Sequence, residues 1–166
     1  LAKLKAEVKH QYHREKGAGL RERLFANIDR LSAIGSALAP LSNWATAVPG
    51  ARRVLESTLG IAADRELPHF TADSLEDWFA SRGRCRLTPQ EARDQVLLFP
   101  DPYTNYSYPG PGKAAIELLE AAGVYVRIPD GVGPSGRAAF SKEFLDQGRA
   151  QARSNVDVLE KYFDQG

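Results

Sequence analysis

The chain of 166 residues lacks methionine and contains a single cysteine, Cys85. One cysteine cannot form a disulfide within the chain, nor can it hold a metal with thiolates alone. No apolar run approaches the roughly 18 residues that a membrane-spanning helix needs, and the charged first segment lacks the apolar core of a signal peptide. We therefore expect a cytoplasmic protein. The missing methionine indicates a piece of a longer protein or a processed chain.

An excess of charge of one sign is also missing, since the formal net charge is only +1. The basic first 30 residues lack the interleaved aromatic residues of a nucleic-acid site, so we predict no nucleic-acid partner. The chain is 43% hydrophobic and 26% charged, which are proportions of a folded globular protein. This composition excludes wholesale disorder.

Residues 1–93 have the pattern of a helical region. A first helix is predicted up to the glycines at 17–19, and a second from Leu20 to an end at Pro40. A third over residues 52–59 closes on Gly60, and a capping box opens a fourth at Ser74. Residues 84–94 are polar and predict a linker. The stripe predicted to be buried on the first helix consists of Leu1, Leu4, Val8 and Tyr12.

Residues 94–166 change to an alternation of short strands and helices. Strands are predicted at 96–99 and 124–128, and helices at 113–122 and 141–163. Short connections favour a right-handed βαβ unit, in which the strands are parallel. The predicted fold class is therefore α/β: a helical N-terminal region (1–93) followed by a Rossmann-like βαβα half-domain (94–166). Two strands cannot close a core alone, so further strands are expected from elsewhere.

Ligands of a parallel sheet bind beyond the carboxyl ends of its strands, and two predicted loops leave that edge, 101–112 and 130–140. Both loops are rich in residues that can bind a ligand. The alternative is that they are rigid connections packed on a neighbour. The candidate site residues are Asp101, Tyr103, Asn105 and Tyr106 in the first loop, and Ser135 and Arg137 in the second.

Other chemical signals are weak. The glycines of residues 131–136 match G-x-G-x-x-G, but no helix is predicted to start there. His10 and His13 share a helix face, yet no third metal ligand is near in sequence, so solvated histidines are the simpler interpretation. Cys85 between two arginines is treated as incidental. We predict no catalytic residue and no metal site.

The segment VLLFPDPYTNY, followed by PGKAAIELLEAAGVYVRIPD and GPSGRAAFSKEFLDQGRAQARSNVDVL, resembles the first half of a cysteine-rich CCG domain. Such domains occur in the iron–sulfur subunits of glycolate oxidase, lactate-utilisation proteins and heterodisulfide reductases. The segment LAKLKAEVKHQYHREKGAGLRERLF is similar to the stretch that follows the two-cluster ferredoxin motif in large FAD-linked oxidases. The resemblance covers nearly the whole chain and implies FAD and iron–sulfur clusters in the parent protein.

The chain departs from that family at the cluster ligands. Pro134 and Ser135 stand where the family has two adjacent cysteines, and Pro102 stands where a loop cysteine is often found. Proline cannot ligate a metal, and serine is a poor replacement for thiolate. We therefore expect no cofactor in this part of the protein.

The leading hypothesis is a part of a flavin- and iron–sulfur-dependent oxidoreductase acting on a 2-hydroxyacid such as D-lactate or glycolate. This part would be structural, or would dock an electron-transfer partner. Its partner would be the remainder of the parent chain or another subunit, with peripheral association at the inner face of the membrane as an open possibility. The alternative is a non-redox module that binds a protein or an anion on a degenerate CCG fold.

Overall fold

A computed structural model describes residues 1–163, so the last three residues of the predicted 94–166 region lie outside the described residues. The N-terminal region is helical, as predicted. Its helices are α1 (Ala2–Lys16), α2 (Leu20–Ala26), α3 (Ile28–Ala37), α4 (Ala39–Ala47), α5 (Pro49–Leu59) and α6 (Leu75–Ser81).

Several helix ends follow the sequence signals. The glycines at 17–19 separate α1 from α2, and Gly60 ends α5 in the left-handed conformation that favours glycine. Ser74 caps α6, because its Oγ accepts a hydrogen bond from the Asp77 N–H at 3.0 Å. The predicted capping box is therefore confirmed.

The predicted second helix is divided at Asn27 into α2 and α3, and α3 ends at Ala37, three residues before the end predicted at Pro40. The sequence also predicts that residues 41–43 end helical structure, which is wrong, because they lie inside α4 and Pro40 lies in its first turn. Proline is tolerated in a first turn because the N–H that it lacks would have no partner within the helix there.

The C-terminal region has the predicted alternation. It contains one two-stranded parallel sheet, in which Val96 pairs with Val126, so the α/β class and the parallel strands are confirmed. Its elements are β1 (Asp94–Leu97), α7 (Pro102–Tyr106), α8 (Pro109–Ala121), β2 (Val124–Arg127), α9 (Arg137–Ser141) and α10 (Leu145–Phe163).

Two predicted connections are more helical than expected. The loop 101–112 contains α7 and the first turn of α8, because Asp101 caps one helix and Pro109 opens the other. The helix predicted over 141–163 is interrupted at 142–144, where Glu143 has a positive φ of 61°. Its first residue, Ser141, belongs to α9, which begins inside the predicted 130–140 loop.

The core lies between α6, α8 and the sheet. Its buried side chains are Leu75, Phe79, Ile116, Val126 and Ile128. Since Leu75 and Phe79 lie on α6, the first region contributes directly to the core of the second. The division of the chain at residue 93 stays a prediction.

Two predicted buried stripes are wrong. On α1, Leu1, Leu4, Val8 and Tyr12 are all exposed, and His10 is the buried residue. On α8, the spacing predicts an apolar stripe at Ala115, Leu118, Leu119 and Ala122. Leu119 is partly buried and packs against the core, but the buried residues of α8 are Gly112, Ile116 and Glu120, and Leu118 is 71% exposed. Helical spacing gives an apolar face, but the neighbours decide which face is covered.

Candidate functional site

The two parallel strands bring the segments that follow them to one edge of the sheet. The Leu98 N–H donates to the Arg127 carbonyl at 2.8 Å, so strand pairing continues to the point where both segments leave. A pocket of about 200 Å³ lies at this edge, between the two segments, α3 and α6. The pocket therefore lies at the edge of the sheet where the sequence predicts a ligand site.

The pocket gathers several of the predicted residues. Asn105, Tyr106 and Ser135 line it, together with the two prolines at cluster-ligand positions, Pro102 and Pro134. The other three candidates, Asp101, Tyr103 and Arg137, are not part of this lining.

Asp101 is occupied as a helix cap. Its Oδ1 accepts hydrogen bonds from the Tyr103 and Thr104 N–H groups, at 2.9 and 3.3 Å, and its Oδ2 accepts from the Thr104 hydroxyl at 2.6 Å. Partial burial opposes ionisation, but these hydrogen bonds and the charge of Arg137 outweigh it. The pKa of the Asp101 carboxyl consequently lies below its usual value. The role of Asp101 is to start α7.

Tyr103, Ser135 and Arg137 are exposed around the same edge. The Ser135 Oγ accepts a hydrogen bond from the Arg137 N–H at 3.3 Å. This bond joins two residues of the turn that precedes α9. Of these three residues, only Ser135 lines the pocket, and Tyr103 and Arg137 lie outside its lining.

Asn105 joins two helices at the wall of the pocket. Its buried carboxamide accepts from the Glu76 N–H at 3.1 Å and donates to the Glu76 carboxylate at 2.9 Å. Both ends of the amide are used within the protein. Asn105 therefore fixes α7 on the first turn of α6 and shapes the pocket.

Tyr106 and Asp29 face the pocket as titratable groups. Burial, and then the negative charge of Glu76, raises the pKa of the Tyr106 phenol, so the phenol stays protonated at neutral pH. Burial also raises the pKa of the Asp29 carboxyl. Together with the exposed guanidinium of Arg30 on α3, these groups give the pocket hydrogen-bonding and charged walls.

Sequence analysis missed Asp29, Arg30 and Glu76. All three belong to the helical region and reach the sheet edge only through tertiary packing. Asp29 and Glu76 each lie in the first turn of a helix, where an acidic residue is an ordinary helix-stabilising choice. No signal in the sequence marked them as pocket residues.

The second segment is held in place by Asn155 of α10. The buried Asn155 carboxamide accepts from the Gly133 N–H at 2.8 Å and donates to the Pro134 carbonyl at 3.0 Å. Asn155 thereby holds the turn that contains Pro134 and Ser135 in place.

An iron–sulfur cluster does not fit the donors at this pocket. Pro102 and Pro134 offer no ligand, and Ser135 offers only a hydroxyl. Cys85 packs against the core instead, where its sulfur lies 3.4 Å from the Val126 N–H. Among residues 1–163, no group of three or more histidine, cysteine, aspartate or glutamate side chains could hold a metal ion.

His10 holds α1 against the start of α10. Its Nδ1 lies 3.3 Å from the Glu143 carbonyl, and its Nε2 lies 3.3 Å from the Asp146 carboxylate. His13 packs on the Phe144 ring, with 5.1 Å between centroids. These histidines are packing and pairing residues rather than the solvated pair that the sequence indicated.

With this fold and edge pocket established, the class of protein follows from comparison with known sequences. Over 142 residues the chain is 29% identical to a subunit of the anaerobic glycerol-3-phosphate dehydrogenase of Escherichia coli strain K12. It has the same identity to the corresponding protein of strain O157:H7. The match covers 84% of this chain and 35% of each relative, so the chain spans about a third of the length of the curated relatives it matches.

The chain is thus a distant homologue of an oxidoreductase subunit. This supports the coarser part of the resemblance, namely a likeness to oxidoreductase subunits. No family model matches the chain. No solved structure matches it either. Within residues 1–163, no helix is both long and apolar enough to cross a membrane.

Proposed function

We propose that this chain is a structural or electron-transfer-docking part of a flavin- and iron–sulfur-dependent oxidoreductase that acts on a 2-hydroxyacid such as D-lactate or glycolate. The chain holds no cluster of its own. FAD and iron–sulfur clusters belong to other parts of the parent protein or to a partner subunit. The parent acts in the cytoplasm or peripherally at the inner face of a membrane.

The name of the relatives supports only the oxidoreductase class. It gives glycerol-3-phosphate as the substrate, which carries a secondary alcohol, as lactate does. Oxidation of a secondary alcohol to a carbonyl releases two electrons and two protons, which flavin and iron–sulfur cofactors can accept and pass on. A 2-hydroxyacid can be oxidised by the same chemistry.

The observation that carries the proposal is the meeting of Pro102, Pro134 and Ser135 at one pocket. By the resemblance, Pro134 and Ser135 stand where the family has two cysteines, and Pro102 stands where a loop cysteine is often found. Here these positions come together without a thiol. A site that keeps the shape of a cluster site without its ligands would suit a part that supports electron transfer between other centres.

The test is to restore the thiols. The chain and the variant Pro102→Cys/Pro134→Cys/Ser135→Cys are purified and incubated with iron and sulfide under reducing conditions. We expect the unaltered chain to stay colourless, and the variant to retain iron and sulfide and to absorb near about 400 nm.

A matched control is Tyr103→Cys/Arg137→Cys/Leu118→Cys, which adds three thiols at exposed positions outside the pocket lining. It should retain no cluster. A brown unaltered chain would contradict the proposal outright. A folded pocket variant that retains no more iron than this control would remove its main support.

A non-redox module that binds a protein or an anion is the second candidate. In the pocket lining, Asp29 and Glu76 oppose an anion, whereas the guanidinium of Arg30 favours one. Arg30 and, outside the lining, Arg137 are the anion-binding candidates, so phosphate titration of the chain, of Arg30→Ala and of Arg137→Ala decides this. Phosphate binding that either variant abolishes would favour the anion-binding module.

A further inference from the structure

Large apolar side chains are exposed along α3, α4 and the residues that flank α4. They are Leu31, Ile34, Leu38, Leu41, Trp44 and Val48, and all six are exposed. We call this row the outer α3–α4 face. Leu41 is 60% exposed and Trp44 is 66% exposed, so these side chains are left largely uncovered by the rest of the described chain. Large apolar patches of this kind on a folded protein mark interaction sites.

The helices are fixed in this orientation by their inner side, which is small and polar. The Ser36 hydroxyl donates to the Thr71 carbonyl, and Gly35 lies so close to the Phe70 ring that a Cβ would overlap it. The Asn43 carboxamide accepts from the Phe70 N–H and donates to the Phe70 carbonyl, both at 2.8 Å. Because the inner side is bound in this way, rotation cannot bury the apolar row.

The outer α3–α4 face also lacks charge. Residues 31–51 contain no aspartate, glutamate, lysine or arginine, although 26% of the whole chain is charged. A solvated helix face normally carries charged residues. A surface free of charge can instead pack against a copy of itself, because no like charges meet.

The spacing of the row favours such self-packing. Four members of the row, at positions 31, 38, 41 and 48, lie symmetrically about a centre between Leu38 and Leu41. The symmetric counterpart of Ile34 is the half-buried alanine at position 45, which is next to Trp44. Steps of three and four are those of a seam between two packed helices.

We propose that the outer α3–α4 face binds a second copy of this chain, with the two helical rows antiparallel about a twofold axis between Leu38 and Leu41. Leu38 of each copy then faces Leu41 of the other, and Leu31 faces Val48. Ile34 faces the alanine at position 45, beside Trp44. A twofold contact is isologous, so the same surface is used on both copies.

The exposed area is sufficient for a stable contact. The six side chains expose roughly 600 Å² on each copy, so a dimer would bury about 1,200 Å² in total, which reaches the lower limit of stable protein interfaces. This inference does not depend on the proposed function, because none of the six side chains lines the pocket at the strand edge.

The first test is the mass of the chain in solution, measured by light scattering over a wide range of concentrations. We expect the mass to rise towards twice 18.2 kDa with concentration. Leu41→Glu should raise the dimer dissociation constant at least about tenfold, because it places a charge in the seam. Leu118→Glu is the matched control, since this similarly exposed leucine lies on α8, and it should dimerise normally.

The second test fixes the register. On a Cys85→Ser background, an equal mixture of Leu38→Cys and Leu41→Cys should form the mixed disulfide on mild oxidation. A mixture of Leu38→Cys and Leu118→Cys should not.

Three results would overturn the proposal: a monomer at every concentration, a dimer unaffected by Leu41→Glu, or equal cross-linking in both mixtures. A fourth is vesicle binding. If the monomeric chain sediments with phosphatidylcholine–phosphatidylglycerol vesicles and Leu41→Glu abolishes this, the face binds lipid and not a second copy.

Discussion

The carboxamide of Asn155 forms hydrogen bonds with both backbone groups of Gly133, its N–H and its carbonyl. It accepts from the Gly133 N–H at 2.8 Å and donates to the Gly133 carbonyl at 3.3 Å. A helix side chain thereby replaces the hydrogen bonds that a turn of irregular backbone lacks. The turn can then line a pocket without being part of a regular element.

The first prediction concerns this contact. Asn155→Ala leaves the backbone groups of Gly133 without their partner, so we expect the free energy of unfolding to fall by about 1–3 kcal/mol. Denaturant unfolding measures the change. Ser154→Ala, at an exposed position of the same helix, should change it by much less. If both variants lose the same free energy of unfolding, the contact between Asn155 and Gly133 does not stabilise the fold.

The second prediction is a pH dependence at Asp101. Its pKa is lowered in the folded protein from an ordinary value of 3.8, so its hydrogen bonds stabilise the fold fully above that value. This contribution is lost as the pH falls through the lower pKa of the folded state. Asp101→Asn keeps a capping oxygen without the charge, so its stability should fall less between neutral and acid pH. Parallel stability profiles for both proteins would contradict this.

The third prediction compares two glycines with similar backbone angles. Gly136 and Gly131 have φ values of 82° and 85°. A Cβ on Gly136 would lie 2.7 Å from the Gly148 carbonyl oxygen, whereas a Cβ on Gly131 would meet no atom within 4 Å. Gly131→Ala should therefore cost only the strain of the left-handed conformation, about 1–2 kcal/mol. Gly136→Ala should cost clearly more in thermal or denaturant unfolding, and equal costs would refute the role of the close approach.

The fourth prediction concerns a buried ion pair between Arg82 of the segment after α6 and Glu120 of α8. The side chains are only 12% and 5% exposed, and the Glu120 carboxylate also accepts from the Arg86 N–H at 3.1 Å. Removing one partner leaves a buried charge, so Glu120→Ala should lower the free energy of unfolding by about 3–5 kcal/mol. Glu117→Ala, on an exposed part of α8, is the control and should be nearly neutral.

Local signals in the sequence were sufficient for much of the secondary structure. Gly60 and Ser74 mark helix ends by their own conformations and hydrogen bonds, and the alternation at 124–128 marks a strand. Short connections then require parallel strands, which bring the two following segments to one edge. The position of the pocket could be predicted for this reason, since it depends on chain order and strand direction alone.

Signals at prolines were harder to interpret. Pro40 and Pro109 both lie in the first turn of a helix, where one was expected to end a helix and the other to lie in a loop. Proline is compatible with either position, because it is excluded only from the interior of a helix. The choice depends on which neighbouring residues pack, and this information is not local.

The sequence by itself determined the order of elements, the parallel strands and the absence of thiols at the cluster-ligand positions, because these depend on residue identity and chain direction. Only the tertiary structure decided which helix faces are covered. It placed Ser36 and Asn43 against the segment around Phe70 and left Leu41 in solvent, against the expectation from hydrophobicity. It also brought Asp29 of α3 to the pocket. Both outcomes depend on contacts between residues distant in sequence, which spacing along a single helix cannot specify.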